Sequence, residues 1–198
     1  MKRATSEAAS MIDFLNARNL PAMLAVLVMF LSASPALFAQ SDVHASLIAA
    51  ADRKLAPQPE LISEAGKATR LSDYRGKVVL LNFWATDCGG CVLEIPAIID
   101  LQAGYRDKGF TVVGVSMDIP YESLKDADEA WGKVKPFVAK KKINYPILMG
   151  RESLFKDFGL TQLPDTLLID KAGKIAAVYV GIIGKANLEE NITMLLSE

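Results

Sequence analysis

The chain has only two cysteines, Cys88 and Cys91, separated by Gly89 and Gly90 within VVLLNFWATDCGGCVLEIP (residues 78–96). Upstream of them, Val78, Val79, Leu80, Leu81, Phe83 and Trp84 make a near-continuous apolar run with β-branched and aromatic members, the pattern of a buried strand. Beyond Cys91, the residues Val92, Leu93, Ile95, Ile98 and Ile99 recur at helical spacing, so Cys91 is expected in the first turns of a helix. A cysteine at such a junction meets the unpaired N–H groups and partial positive charge of the helix N-terminus, which favour a thiolate. The chemistry this permits is disulfide exchange: Cys88 attacks a disulfide sulfur to form a mixed disulfide, and Cys91 resolves it by attacking Cys88. Three positions apart, the two Cα atoms are near enough to close a disulfide. The competing readings are an inert disulfide and half of a metal site. A closed tetrahedral zinc site needs two more ligands, and the only histidine, His44, falls in a stretch expected to be a solvated linker.

The elements that must position this pair follow from the rest of the chain. Of its 198 residues, 51% are hydrophobic and 23% charged, which suits one globular domain with an extension. A formal net charge of −1 offers nothing to attract a polyanion, so nucleic acid is not an expected partner. Lys2, Arg3 and Arg18 precede an apolar run over residues 20–31, followed by Ser32, Ala33, Ser34 and Pro35 and then Ala36, Leu37, Phe38 and Ala39. That is the order of an export signal, with the mature chain starting near Gln40; left uncut, residues 20–39 have about the ~20 residues of a membrane anchor. Residues 1–39 are therefore expected to be an export signal or membrane anchor. Residues 40–59 read as a linker holding one loose helix (Leu47, Ile48, Ala51, Leu55) and ended by Pro57 and Pro59, and residues 60–198 as the folded domain. Within that domain an edge hairpin is expected around Gly66 and a turn at residues 72–76. A second buried strand over residues 110–117 should run parallel to the first through a right-handed crossover. A helix over residues 127–142, broken or started at Pro136, leads to a short strand at 146–149 and a small helix at 153–158 capped by Gly159. An antiparallel hairpin over residues 166–170 and 175–180 and a closing helix at 188–196 complete the pattern.

Four segments taken together, LSDYRGKVVLLNFWATDCGGCVLEIP, GVSMD (residues 114–118), NYPIL (144–148) and LPDTLLIDKAGKI (163–175), resemble the thioredoxin-like TlpA/ResA family. The resemblance covers the chain from about residue 57 to the end. It implies an α/β class thioredoxin-like fold, a central mixed sheet flanked by helices, with an N-terminal hairpin and a helix-bearing insertion. It also implies an exported, often membrane-tethered thiol-disulfide oxidoreductase that uses no cofactor beyond the Cys88–Cys91 dithiol and no metal. Pro164 matches the family's cis-proline, and Leu163, Pro164 and Trp84 are the implied client-binding residues. Glu94 matches the acidic residue that follows the CxxC in this family. In thioredoxins proper a buried Asp stands two positions before the Trp, where this chain has Asn82. One turn beyond Cys91, a partly buried Glu94 carboxyl with a raised pKa could exchange a proton with the resolving thiol.

Two positions depart from the family pattern, which usually has Trp before the first cysteine and Pro before the second; here they are Asp87 and Gly90. Asp87, Gly89 and Gly90 are thus expected to tune the redox pair, with the Asp87 charge disfavouring the Cys88 thiolate and raising its pKa. The leading functional expectation is an extracytoplasmic, periplasmic protein disulfide reductase. It would be kept reduced by a membrane thiol carrier and act on disulfide-containing clients, apocytochrome c among the candidates. Net disulfide oxidation or isomerisation is the alternative an oxidising compartment favours, and Cu(I) carriage between the two thiols is a third.

Overall fold

The computed structural model describes residues 42–198. The expected export signal or anchor, residues 1–39, lies outside them. The structure is organised on strand β3 (Val78–Trp84), all seven residues of which are buried. It lies in a seven-stranded sheet of order β2-β1-β5-β4-β3-β6-β7. The other strands are β1 (Leu61–Ser63), β2 (Ala68–Thr69), β4 (Phe110–Ser116), β5 (Ile147–Met149), β6 (Asp165–Ile169) and β7 (Ile175–Val180). β3 pairs in parallel with β4 and antiparallel with β6, so the sheet is mixed. Covered on both faces, β3 can be apolar at nearly every position rather than at alternate ones, which is why its sequence shows a run and not a period of two.

Successive side chains of β3 divide the core. Val78 and Leu80 pack with Ile98 and Leu101 of α1 (Gly89–Tyr105) and with Leu188 and Ile192 of α5 (Lys185–Ser197). Val79, Leu81 and Phe83 pack on the opposite face with Leu71 and with Leu154 of α4 (Ser153–Phe158). Between β4 and β5 the chain inserts α2 (Asp118–Glu122) and α3 (Ala127–Lys141). Trp131 and Val134 of α3 pack with Trp84, Cys88 and Cys91, so the insertion closes over the end of β3 that carries the thiols. The expected hairpin about Gly66, with φ of +72°, forms as β1 and β2, and the C-terminal pair forms as β6 and β7.

Two expectations differ from the structure. Pro136 neither starts nor breaks its helix: α3 begins nine residues earlier, where the Asp126 side chain caps by accepting from the Glu129 N–H at 3.0 Å, and runs on through the proline. Residues 47–55 form no helix. The segment 42–56 is irregular, with a turn at residues 50–52 closed by Asp52 N donating to Ala49 O at 2.8 Å, with Val43, Ala45 and Leu47 packed on the core and with Ile48 N donating to Ala176 O at 2.8 Å. Alternation at 43, 45 and 47 is a strand-like period that the apolar residues at 47, 48, 51 and 55 obscure. Arg53, 6% exposed, pins the far end through Glu198 at 2.6 Å and Asp170 at 3.3 Å.

Gly114 of β4 has a packing role. A Cβ there would lie 2.6 Å from Ile147 Cδ1 and 3.1 Å from both Trp84 Nε1 and Tyr145 Cε2. The isoleucine tip can turn away, whereas the two rings are buried and held. Gly114→Ala is therefore expected to lower the unfolding free energy by about 1–3 kcal/mol, read as a fall in the urea midpoint at unchanged slope.

Candidate active site

Cys88 is the N-cap of α1, with extended backbone, and its Sγ accepts from the Cys91 N–H at 3.3 Å. The two sulfurs are bonded at 2.05 Å with the Cα atoms 5.3 Å apart, so the structure is that of the oxidised pair. Cys91 sits in the first turn of the helix as its sequence context predicts, and both cysteines are almost wholly covered. No acidic side chain occupies that first turn, which leaves the positive end of the helix to the sulfurs.

One turn on, Glu94 is 2% exposed. Its Oε1 accepts from Asn82 Nδ2 at 2.7 Å and its Oε2 from the Ile183 N–H at 3.3 Å, while Asn82 Nδ2 also donates to Thr166 Oγ1 at 2.9 Å. Burial raises the Glu94 carboxyl to about 7, against the pull of these two donors toward the ionised form. The position at which thioredoxins place their acid thus supplies the amide that holds the relocated one.

Leu163–Pro164 is a cis peptide bond. A Cβ at Gly90 would lie 3.3 Å from Pro164 Cδ and 3.5 Å from Ile182 Cγ1, so the second glycine of the CxxC lets the helix start approach the proline closely. Pro164 O accepts from the Gly181 N–H at 2.9 Å, and Leu163 is half-buried at the same loop. Trp84 stands apart from this surface: it is 1% exposed and packs against Phe137 with ring centroids 5.3 Å apart, beneath the thiols. Gly89 is exposed, with open space where a side chain would stand.

Asp87 is exposed but not a lone charge. Its Oδ2 lies 3.1 Å from Lys133 Nζ, and Lys133 also pairs with Glu122. Just before it, Thr86 is tied to the wholly buried Asp118, whose Oδ1 accepts from Thr86 N at 3.0 Å and Thr86 Oγ1 at 2.5 Å; Ser116 Oγ donates to Oδ2 at 2.7 Å. These bonds hold the loop that delivers Cys88. Asp165 follows the cis-proline, is buried, and has an Oδ1 without a hydrogen-bond partner; burial raises its carboxyl to about 6. Sequence reasoning singled out none of Lys133, Asp118, Thr166 and Asp165. The one available signal was a carboxylate at Asp165 inside an apolar strand pattern; Lys133 and Asp118 come from the insertion, whose packing no local pattern states.

An exchangeable disulfide at a helix N-terminus, a cis-proline against it and a buried titratable carboxyl one turn on, carried by this mixed sheet, define a thioredoxin-fold thiol-disulfide oxidoreductase. Comparison with known proteins agrees. The AhpC/TSA family profile matches residues 53–178. The thioredoxin-like protein YneN of Bacillus subtilis is 32% identical over 70% of this chain and 77% of its own length. The thiol-disulfide oxidoreductase ResA of Bacillus thuringiensis is 34% identical over 69% and 74%. Among solved structures, a thiol:disulfide interchange protein of the thioredoxin family from Chlorobium tepidum superposes with a TM-score of 0.61 at 28% identity, covering 75% of this chain and 99% of its own. The chain belongs to the AhpC/TSA family and, within it, to the TlpA/ResA-like thiol-disulfide oxidoreductases.

Two outcomes follow from this geometry. Between about pH 4.5 and 7 the folded state keeps a proton on Glu94 that the unfolded chain has released, so stability falls as pH rises through that window, by at most about 3 kcal/mol. Glu94→Gln is expected to flatten that slope in urea titrations of the oxidised protein. Because the Lys133 ammonium offsets the Asp87 charge, Lys133→Ala is expected to raise the pH midpoint of Cys88 alkylation, and Asp87→Asn to lower it. Coincident midpoints in all three proteins would show that neither charge reaches the thiol.

Proposed function

We propose that the protein is a protein disulfide reductase working outside the cytoplasm. Cys88 attacks a client disulfide, forming the Cys88–client bond and releasing one client thiolate. Cys91 then attacks Cys88, closing the Cys88–Cys91 disulfide and releasing the second client thiolate, so two electrons pass to the client. A membrane thiol carrier restores the dithiol. Glu94 takes the Cys91 proton as that thiol becomes the attacking thiolate and returns it when the pair is reduced again. The observation that carries this reading is the buried Glu94 carboxyl, one turn from Cys91 and held near pH 7, where it can both take and give a proton.

Leu163 and Pro164 offer the client an extended backbone to lie against, and Asp87, Gly89 and Gly90 set the poise of the pair. Clients with a surface-accessible disulfide, such as apocytochrome c with its paired haem-attachment cysteines, suit a nucleophile placed at the head of a helix. The basic, apolar and small-residue order of residues 1–39 supports export to the periplasm, either cut near Gln40 or retained as an anchor through residues 20–39. No helix among the described residues is long and apolar enough to cross a membrane.

The test is the reduction potential of the Cys88–Cys91 pair, with insulin reduction as the activity. The reductase is expected near the ~ −270 mV of thioredoxin, with activity abolished in Cys88→Ser. A potential well above the glutathione poise would instead make the protein a net oxidant, and equal insulin reduction by wild type and Cys88→Ser would remove the exchange mechanism altogether.

A further inference from the structure

The loop at residues 181–184 meets the site at three places, Pro164, Gly90 and Glu94. Gly181 N–H donates to Pro164 O at 2.9 Å, Ile182 Cγ1 lies 3.5 Å from where a Gly90 Cβ would stand, and Ile183 N–H donates to Glu94 Oε2 at 3.3 Å. The loop lies between a strand end and a helix start, and neither gives it a ladder of its own. What grips it is the N-terminal segment. Val43 N–H donates to Ile182 O at 2.7 Å and Val43 O accepts from the Gly184 N–H at 3.0 Å, a parallel bridge with Ile183 at its centre. Ala45 secures the grip, donating to Asn187 Oδ1 at 2.9 Å and accepting from Asn191 Nδ2 at 2.8 Å. The fit is close: Cβ atoms at Gly181 and Gly184 would come within 3.1 Å of Val43 Cγ2 and 2.8 Å of the His44 ring.

We infer that residues 42–45 are a positioning clasp for the active-site acid, holding the 181–184 loop in the register at which the Ile183 N–H reaches Glu94. Val43 touches neither thiol nor carboxyl and acts through the backbone on either side of Ile183. Release of the clasp withdraws one of the two donors that stabilise ionised Glu94, and by the sign of that contact its proton is then held to higher pH. The segment that leads from residues 1–39 into the domain is thereby part of the redox site.

The inference rests on Glu94 being the titrating group of the site, and the experiment separates the two. In the full chain, the Ile183 amide shift and the reactivity of the reduced thiols are followed against pH in wild type, Val43→Pro, Val43→Ala and Glu94→Gln. Val43→Pro lacks the N–H given to Ile182 O and is expected to raise the inflection by about half a pH unit or more, roughly threefold in protonation constant. Val43→Ala keeps both main-chain bonds and should titrate as wild type. In Glu94→Gln the Ile183 amide should show no inflection near pH 7, and thiol reactivity should keep only the inflection of the thiol itself; if the amide keeps one, the assignment of Glu94 fails whatever the clasp does. An unshifted inflection in folded Val43→Pro, or an equal shift in Val43→Ala, overturns the clasp. Amide exchange in the wild type decides independently of whether Val43→Pro folds. Val43, Ile183 and Gly184 are expected to share one opening free energy, whereas Ile183 protection exceeding that of Val43 by tenfold or more would show that the loop keeps its place without the clasp.

Discussion

A carboxyl group removed from water must either carry its proton or be given hydrogen bonds strong enough to replace the water, and Glu94 is held between those alternatives. Full burial with no donor would leave it permanently neutral, while more donors would leave it permanently ionised. Asn82 from the central strand and the Ile183 N–H from a loop on the far side of β6 balance the cost of burial closely enough to leave the group titrating near neutrality. Much of the architecture serves that balance. The full burial of β3 fixes Asn82, the pairing of β3 with β6 places Thr166 beside it, and the helix that starts at the disulfide carries Glu94 to meet them.

The opposite flank of the cysteines is built on acidic side chains and one lysine. Asp118 takes three donors from Thr86 and Ser116, which ties the turn ahead of Cys88 to the end of β4. Lys133, from the inserted helix, lies between Asp87 and Glu122. The insertion therefore contributes more than bulk over the site: it supplies the counter-charge for the residue that replaces the family's usual tryptophan. A sequence departure beside the nucleophile and a cation forty-six positions away form one electrostatic unit.

What could be read from the residues alone was whatever local pattern specifies. The buried run of β3, the cysteine pair at a helix start, the C-terminal hairpin and the glycine-capped α4 each have a period or a punctuating residue, and each forms as expected. The partners of Glu94 were partly legible, because Asn82 stood at a position the family resemblance had already marked. Three features were not. The non-helical course of residues 42–56 depends on a strand edge more than a hundred residues away; Pro136 lies within a helix whose start is set by the Asp126 cap; and Lys133, Asp118 and Asp165 acquire meaning only once the insertion and β6 have packed. Trp84 shows the same gap from the other side: the family resemblance implied a client-binding residue, yet its place on β3 turns it into the core.

The sheet's two margins are treated very differently. On one side the last strand, β2, has only two residues and offers almost nothing for another chain to pair with. On the other side β7 is six residues long and still shows Val178 and Val180 at the surface, which would make it a template for intermolecular pairing. Residues 43–54 occupy that margin at both ends, through Ile48 and Lys54 at the start of β7 and through Val43 just past its end. A second molecule cannot lay a continuous strand there without first displacing the protein's own chain. A thiol-disulfide oxidoreductase meets the chains of other proteins at its site, and this arrangement keeps its own sheet margin from pairing with their strands.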